Sequence, residues 1–294
     1  MEARKPEWLK VRRPGDGSWG AVRRALGDGG LHTVCEEARC PNRAECWGAG
    51  TATLLLLGDV CTRGCAFCSV ARGTPAPPDP DEAARAARCV ERLGLDYVVL
   101  TSVSRDDLPD GGASVFVRAI AALRSLPRHP DVEVLVPDYL GEPLAAVIGA
   151  GPDVLAHNVE TVRRLTPLVR HWRCGYDRSL ATLAEARRVA PGLRTKSSVL
   201  LGLGETPDEV RQTMRDLRGA GVGVVVLGQY LRPTRESAPV ARWVAPGEFE
   251  ALRCEGLALG FDAVVAAPLA RSSYHARDAA RGARGVFDTP PGGA

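Results

Sequence analysis

Lysine is nearly absent from this chain: of 38 basic residues only Lys5, Lys10 and Lys196 are lysine, and 35 are arginine. Aromatic residues are scarce at 5%, and methionine occurs twice. No apolar run approaches the roughly 20 residues a membrane-spanning helix needs; the longest obvious one, 54–57, is strand-sized. The first thirteen residues are charged and lack the apolar stretch of a secretory signal. These absences argue against a membrane protein and for a cytoplasmic one. A net charge of +3 over 294 residues is too small and dispersed for nucleic acid, so the arginines read as solvated helix faces. Lys196 stands out in the apolar stretch 195–202, as a flexible point charge able to pair with a carboxylate or a sulfur ligand.

What the chain does have is cysteine, and most of it in one place. Six of nine cysteines fall within 34 residues as two triplets, Cys35-x4-Cys40-x5-Cys46 and Cys61-x3-Cys65-x2-Cys68. An odd total, the tight second spacing and the missing signal argue against disulfides. Free thiols suit a reducing cytosol. A structural zinc site closes with four protein ligands, so each triplet is one short. Mixed-ligand zinc, with His32 joining the first triplet, is one alternative, although only Cys65 and Cys68 have the usual zinc spacing. An iron–sulfur cubane on three cysteines keeps one iron open, so two triplets suggest two such clusters. Cys89, Cys174 and Cys254 lie singly in apolar or helical context and read as packing residues.

With 45% hydrophobic residues the chain can bury a full core. Apolar runs at 52–57, 97–100, 132–136, 154–156, 197–201 and 222–227 alternate with helical patterns at 81–93, 113–125, 141–149, 178–189 and 207–219. This predicts an α/β fold, a partial (β/α)6 TIM-type barrel with a cysteine-rich N-terminal extension and a C-terminal extension. A further pair, helix 246–259 and run 261–266, extends one edge. The expected divisions are 1–50, without sustained periodicity, then the core at 51–232, a C-terminal extension at 233–280 and a mobile tail at 281–294.

Active sites of parallel βα folds gather at the C-terminal strand ends, where the second triplet directly follows the first strand. Gly64 is expected to permit the tight turn. The other strand ends nominate Thr101 and Ser102, Asp110, Gly111 and Gly112, Asn158 with Glu160, Lys196, Gly202 with Gly204, and Gln229 as cofactor-binding positions.

Cys61-Thr-Arg-Gly-Cys65-Ala-Phe-Cys68 is similar to the signature of radical S-adenosylmethionine enzymes. The resemblance implies a [4Fe–4S] cluster on these cysteines whose open iron is chelated by S-adenosylmethionine, which one electron cleaves to methionine and a 5′-deoxyadenosyl radical. Phe67 resembles the aromatic that lies near the adenine in such enzymes; packing against the first strand is its other reading. More stretches resemble the lipoyl synthase family: His32 through Cys46, Thr101 through Gly112, His157-Asn-Val-Glu160, Gly202-Leu-Gly-Glu205, Leu227-Gly-Gln-Tyr230 and Arg271-Ser-Ser-Tyr-His-Ala276. The likeness runs from about Pro6 to about Ala276, with the chain starting close to the shared core.

That resemblance implies a second, auxiliary [4Fe–4S] cluster on Cys35, Cys40 and Cys46, with Ser273 on its fourth iron and Ser272 as the alternative. From the residues alone, 272–273 reads as a turn or cap. Serine oxygen is a hard ligand to iron and easier to lose than thiolate, which suits a cluster that is opened and consumed. The implied reaction inserts sulfur at C6 and C8 of an octanoyl group on a carrier-protein lysine. Implied partners are octanoylated lipoyl carrier domains (2-oxoacid dehydrogenase E2 subunits and the glycine cleavage H protein), an electron donor such as flavodoxin or ferredoxin, and an iron–sulfur carrier protein. The arginine surplus suits an acidic carrier surface. A biotin synthase or methylthiotransferase would share the second triplet but lack the first together with 271–276. An electron carrier would ligate every iron with protein and need no six-unit scaffold.

Overall fold

The computed structural model describes residues 4–10, 19–48, 51–274 and 276–281. Each apolar run becomes a strand because Val and Leu on both faces need cover from two sides. In chain order the strands are β1 (His32–Thr33), β2 (Thr51–Leu56), β3 (Val60–Cys61), β4 (Ala71–Arg72), β5 (Tyr97–Ser102), β6 (Asp131–Leu135), β7 (Val154–Ala156), β8 (Arg194–Leu201), β9 (Val224–Gln229) and β10 (Ala263–Ala267). The helices are α1 (Trp19–Asp28), α2 (Val34–Glu37), α3 (Arg43–Gly48), α4 (Glu82–Leu93), α5 (Ala113–Arg124), α6 (Glu142–Gly149), α7 (Thr166–Val169), α8 (Tyr176–Val189), α9 (Pro207–Gly219), α10 (Pro246–Ala258) and α11 (Ala276–Arg281).

Eight strands form one sheet in the order β1-β2-β5-β6-β7-β8-β9-β10, while β3 and β4 pair separately. All neighbours in the large sheet are parallel except β1, which is antiparallel to β2. The sheet is open, with β1 and β10 at its edges. The expected extra pair is present as α10 and β10, which aligns with β9 from Ala263 opposite Val224 onward.

Local signals set the element ends. Thr206 and Glu209 form a reciprocal capping box at the start of α9, and α4 stops at Gly94, whose φ of 62° suits glycine. One sheet face buries Val98, Leu100, Val132, Val134 and Leu155 with Phe116, Ile120 and Leu144 of the covering helices. Toward the other edge Val225 and Leu227 pack with Met214, Leu217 and Phe249. Burial of this completeness contributes about 1.5–3 kcal/mol per large side chain.

The first fifty residues depart from expectation, since α1, α2, α3 and β1 form there. The signal for α1 was present: Val22, Ala25 and Leu26 stand at helical spacing and are buried. Its glycines and arginines masked the periodicity. The expected tail lies outside the described residues beyond Arg281. Among the described residues no helix is long and apolar enough to cross a membrane.

Lys196 is not at the strand ends in any accessible sense. Its ammonium sits 2.7 and 2.9 Å from the Glu133 oxygens, and Tyr97 donates its hydroxyl to the same carboxylate at 2.6 Å. All three are about 1% exposed. Tyr97 begins β5, and Lys196 lies in the third position of β8, so the pair occupies the N-terminal half of the sheet. Removing one member of a buried pair leaves the other charge unmatched, which costs about 3–5 kcal/mol. Lys196→Met should lower unfolding free energy by that amount in urea titrations, and adding Glu133→Gln should recover part of it.

Candidate active site

The loop from Cys61 to Cys68 is fastened by backbone hydrogen bonds to three neighbouring segments. Thr62 N–H donates to Ser104 O at 3.0 Å, Ala66 N–H to Val169 O at 2.8 Å, and Ala238 N–H to Ala66 O at 2.7 Å. These partners follow β5, β7 and β9, so the loop spans the C-terminal strand ends. Gly64 has no left-handed φ; a Cβ there would meet Arg72 Cδ at 2.8 Å, so close approach is what its glycine permits in this turn.

The sulfurs accept hydrogen bonds. Cys61 Sγ receives N–H donors from Arg63 and Ser104 at 3.4 Å each, and Cys65 Sγ receives His171 N–H at 3.3 Å. Such donors favour thiolate and hence metal ligation. Desolvation, with Cys61 and Glu160 nearby, raises the Cys68 thiol.

Cys174 is buried as expected, and it also meets the cysteine loop. It hydrogen-bonds Cys65, which raises the Cys65 thiol together with burial. Arg63 Nη1 donates to Cys174 Sγ at 3.3 Å. The bond with Cys65, then the Arg170 and Arg63 charges, bring the Cys174 thiol down to about 6. Cys254, also read as packing, is exposed on α10, whereas Cys89 is buried as expected.

Arg63 ties the loop to two strand ends. Its Nε and Nη2 donate to Asp106 at 2.9 and 2.7 Å, and its Nη1 to Asp138 at 2.5 Å. The hydrogen bond from Arg63 holds Asp106 at about 2. Below this layer, His157 Nδ1 donates to Val136 O at 2.9 Å, so Nε2 accepts from Ser179 Oγ at 2.8 Å. Arg170 Nη1 donates to that same hydroxyl oxygen at 2.7 Å. Glu160 has a φ of 65°, unusual for a side-chain-bearing residue. It keeps this conformation because its N–H and C=O bond Ser198 O and Leu200 N–H of β8. Burial raises its carboxyl. Asn158 donates to Glu160 at 3.1 Å, while Asn158 Oδ1 is buried without a hydrogen-bond partner among the described residues.

The first triplet is built by short elements. Thr33 Oγ1 caps α2 by accepting Glu36 N–H at 3.1 Å, and Cys40 N–H returns to Cys35 O at 3.1 Å. Burial and then Cys40 push the Cys35 thiol up to about 11. Burial with Cys40 and Cys35 raises Cys46 as well. Asn42 Nδ2 donates to Leu269 O at 2.6 Å, and Tyr274 hydroxyl to Glu45 Oε1 at 2.9 Å. The segment carrying Ser272 and Ser273 is thus fastened beside this triplet. Ser69, next to Cys68, donates to Glu37 O, so the two triplets adjoin. His32 faces Glu37 and Asp59, with donor atoms within 4.8 Å of one another.

The model of the Radical SAM superfamily matches residues 55–217. A lipoyl synthase from Anaeromyxobacter sp. (strain Fw109-5) is 54% identical over 281 residues, covering 95% of each chain. One from Pyrobaculum calidifontis is 53% identical over 279 residues, covering 93% of this chain and 95% of the other. The chain belongs to the lipoyl synthase family. It is therefore a radical S-adenosylmethionine enzyme that inserts sulfur, and the superfamily implies a [4Fe–4S] cluster and S-adenosylmethionine. Among solved structures, the FeFe-hydrogenase maturase HydG from Carboxydothermus hydrogenoformans is similar in fold, with a TM-score of 0.59 at 14% identity over 82% of this chain and 63% of the other. Methylornithine synthase gives 0.54 at 13% identity over 81% and 72%.

Set within this lipoyl synthase fold, the residues nominated from sequence divide into two groups. Asn158 and Glu160 lie beside the second triplet, and Phe67 packs from the loop against the apolar cluster that includes Val159, Val199 and Leu201. Most of the others have their polar groups engaged internally, although Ser102 Oγ is buried without a hydrogen-bond partner among the described residues. Thr101 donates to Leu135 O at 2.9 Å. Asp110 accepts Gly112 and Ser114 N–H at the start of α5. Gly112 (φ 89°) leaves room for Leu57, and Gly111 for the Tyr139 ring. Gln229 uses its amide on Leu201 O, Tyr230 O, Arg242 O and Val244 N. Sequence reasoning missed Arg63, Asp106, Asp138, Arg170 and Cys174. Arg63 had a local signal in its place within the cysteine loop, and Asp106 in its place within 101–112.

Burial, then Arg170, hold His157 at about 4, below its ordinary 6.5. The unfolded chain therefore binds the extra proton between these values, and stability rises with pH there. The expected gain from pH 4 to 6.5 is about 3 kcal/mol. Urea unfolding of His157→Gln across that window should show a flatter profile.

Proposed function

We propose that this chain inserts two sulfur atoms, at C6 and C8, into an octanoyl group on a carrier-protein lysine. Cys61, Cys65 and Cys68 hold the radical-generating [4Fe–4S] cluster, and Cys35, Cys40, Cys46 and Ser273 hold an auxiliary one. Bound there, these groups and S-adenosylmethionine supply hydrogen abstraction from unactivated carbon and the sulfide that replaces the hydrogen. An alkyl C–H has no acidic proton, so acid–base residues alone cannot do this.

The observation carrying the reading is the fastening of 269–274 onto the first triplet, next to a second triplet at the strand ends. The donor sets fit clusters. Among the described residues neither triplet brings its three sulfurs within 4.8 Å of one another, whereas Zn–S bonds of about 2.3 Å at tetrahedral angles put sulfurs about 3.8 Å apart. Wider spacing suits a multi-iron group. The remaining residues orient and shield. N–H donors on Cys61 and Cys65 favour thiolate, and Arg63 fixes the loop to Asp106 and Asp138. The Asn158 acceptor and the Glu160 carboxyl suit a cationic amino group such as that of S-adenosylmethionine. Phe67 supplies an apolar wall, with Thr101, Asp110, Gly111, Gly112 and Gln229 holding the strand ends behind it. The carriers are 2-oxoacid dehydrogenase E2 domains and the glycine cleavage H protein. Flavodoxin or ferredoxin gives electrons, an iron–sulfur carrier renews the auxiliary cluster, and the setting is the cytoplasm.

Anaerobic reconstitution should give about eight irons per chain and no zinc. With S-adenosylmethionine, reductant and an octanoyl-lysine peptide, mass spectrometry should find the lipoyl product. Cys65→Ala should abolish S-adenosylmethionine cleavage and retain about four irons. Cys40→Ala should keep cleavage and lose sulfur insertion. Ser273→Ala should weaken retention of the auxiliary irons where Ser272→Ala does not. Cleavage without sulfur insertion by the unaltered protein would overturn the reading.

A further inference from the structure

Among the described residues the two most exposed large apolar side chains are Trp172, 78% exposed, and Leu168, 72% exposed. Singly exposed apolar residues are common; what distinguishes these two is where their backbone is attached. Between them in the chain, Val169 O accepts Ala66 N–H at 2.8 Å and His171 N–H donates to Cys65 Sγ at 3.3 Å. The Trp172 ring stacks obliquely on that of His171, with centroids 5.5 Å apart and planes tilted by 41°. An exposed indole is therefore carried by the same short segment that bonds a sulfur of the second triplet.

The surroundings of this segment are cationic. Arg63, Arg173 and Arg178 share two carboxylates: Arg63 contacts both Asp106 and Asp138, Arg173 meets Asp106 at 3.6 Å and Arg178 meets Asp138 at 2.9 Å. Three positive charges on two negative ones leave the network positive. Arg72, exposed on β4, adds another cation against Gly64 of the loop. The carboxylates next in sequence, Asp107 and Asp177, have arginines of their own in Arg105 and Arg163. Arg173 also lies over the Trp172 ring, 5.0 Å from its centroid. Burial, then the Arg63 and Arg72 charges, lower the His171 imidazole, which places those guanidiniums around the stacked pair. An aromatic anchor with arginines at its rim is the composition of a protein-binding surface that favours an anionic partner.

We propose that the Trp172 segment is the docking surface for an acidic one-electron carrier protein that reduces the group held by Cys61, Cys65 and Cys68. The proposal rests on the reading that these cysteines hold a [4Fe–4S] cluster. One electron leaves the reduced carrier, which is oxidised, and enters that cluster, which is reduced, with no proton passing between the proteins. Electron transfer between proteins falls off steeply with distance, so the carrier has to dock where little chain separates solvent from a cluster ligand. Here a single residue, His171, joins the exposed indole to Cys65 Sγ. The arginines around it steer an acidic carrier to that face, and affinity falls as salt screens them.

The test measures binding of a flavodoxin, an acidic flavin protein, to the reconstituted full chain by isothermal titration calorimetry. Cleavage of S-adenosylmethionine is followed separately, with either reduced flavodoxin or dithionite as the electron source. Dithionite is a small ion and needs no docking surface. Loss of one aromatic anchor predicts roughly tenfold weaker flavodoxin binding by Trp172→Ala. The Michaelis constant for flavodoxin should rise in step, with dithionite-driven cleavage unchanged. Arg173→Glu should weaken binding similarly and flatten its salt dependence. Leu257→Ser, at an apolar side chain exposed on α10, should change neither. No flavodoxin binding by the unaltered protein, or unchanged binding by both Trp172→Ala and Arg173→Glu, would overturn the proposal. So would an equal loss of dithionite-driven cleavage in these variants, which would mark a structural role. Retained flavodoxin binding with weakened binding of an octanoylated carrier domain would assign the face to the acyl carrier instead. A concentration-dependent dimer abolished by Trp172→Ala would assign it to a second copy of the chain. Flavodoxin binding in the expected pattern by a chain that cleaves nothing with dithionite would sink the cluster reading and leave the docking surface standing.

Discussion

A buried hydrogen bond of 2.6 Å from the Asn42 amide to the Leu269 carbonyl joins positions 227 residues apart. Together with Tyr274 on Glu45 at 2.9 Å it holds the chain beyond β10 against the stretch between Cys40 and Cys46. The elements around the first triplet cannot hold it unaided. The four-residue α2 and six-residue α3 are far below the length at which a helix is stable alone, and β1 contributes two residues. The three thiols are fixed because β2 holds them on one side and the C-terminal segment clasps them on the other. These contacts hold the segment of Ser272 and Ser273 beside the three thiols, across a separation of more than two hundred residues.

The sheet separates two kinds of polar interior. Toward the N-terminal half, Lys196, Glu133 and Tyr97 satisfy one another completely. A buried pair of this kind gives little net stability over an apolar replacement, but it places charge far from the chemistry. Toward the C-terminal ends the polar atoms are left less complete: Asn158 Oδ1 and Arg170 Nε are buried without partners among the described residues. Unmet capacity at that end fits a site that receives a ligand, and full satisfaction at the other fits a scaffold.

Most of the fold was legible because its strands are apolar on both faces and its helices carry clear periodicity, so the expected 207–219 helix matches α9. The first fifty residues were not, since their helices are short and stabilised by contacts distant in sequence. The cysteine triplets were legible from spacing alone. That Lys196 could pair with a carboxylate was legible, but a lone lysine among arginines says nothing about which carboxylate it meets. Cys174 and Asp138 were invisible for the same reason: they reach the second triplet only through the packing of α8 and the loop after β6.

Two arginines near that triplet, the half-buried Arg63 and the buried Arg170, do different work. Arg63 faces two carboxylates and holds the loop to Asp106 and Asp138, and it also lowers the Cys174 thiol. Among the described residues Arg170 hydrogen-bonds only neutral groups, the Val159 carbonyl at 3.4 Å and the Ser179 hydroxyl at 2.7 Å. Its charge therefore remains uncancelled in a low-dielectric setting, where it acts over longer distances than at the surface. It favours ionisation of Cys65, Cys174 and Glu160, and disfavours protonation of His157. Three thiolates gathered in one loop repel one another, and a fixed cation beneath them offsets that repulsion without occupying a ligand position. Arg170 and the N–H donors on Cys61 and Cys65 are thus the parts of this chain that favour thiolate in the loop, while Arg63 determines where the loop sits.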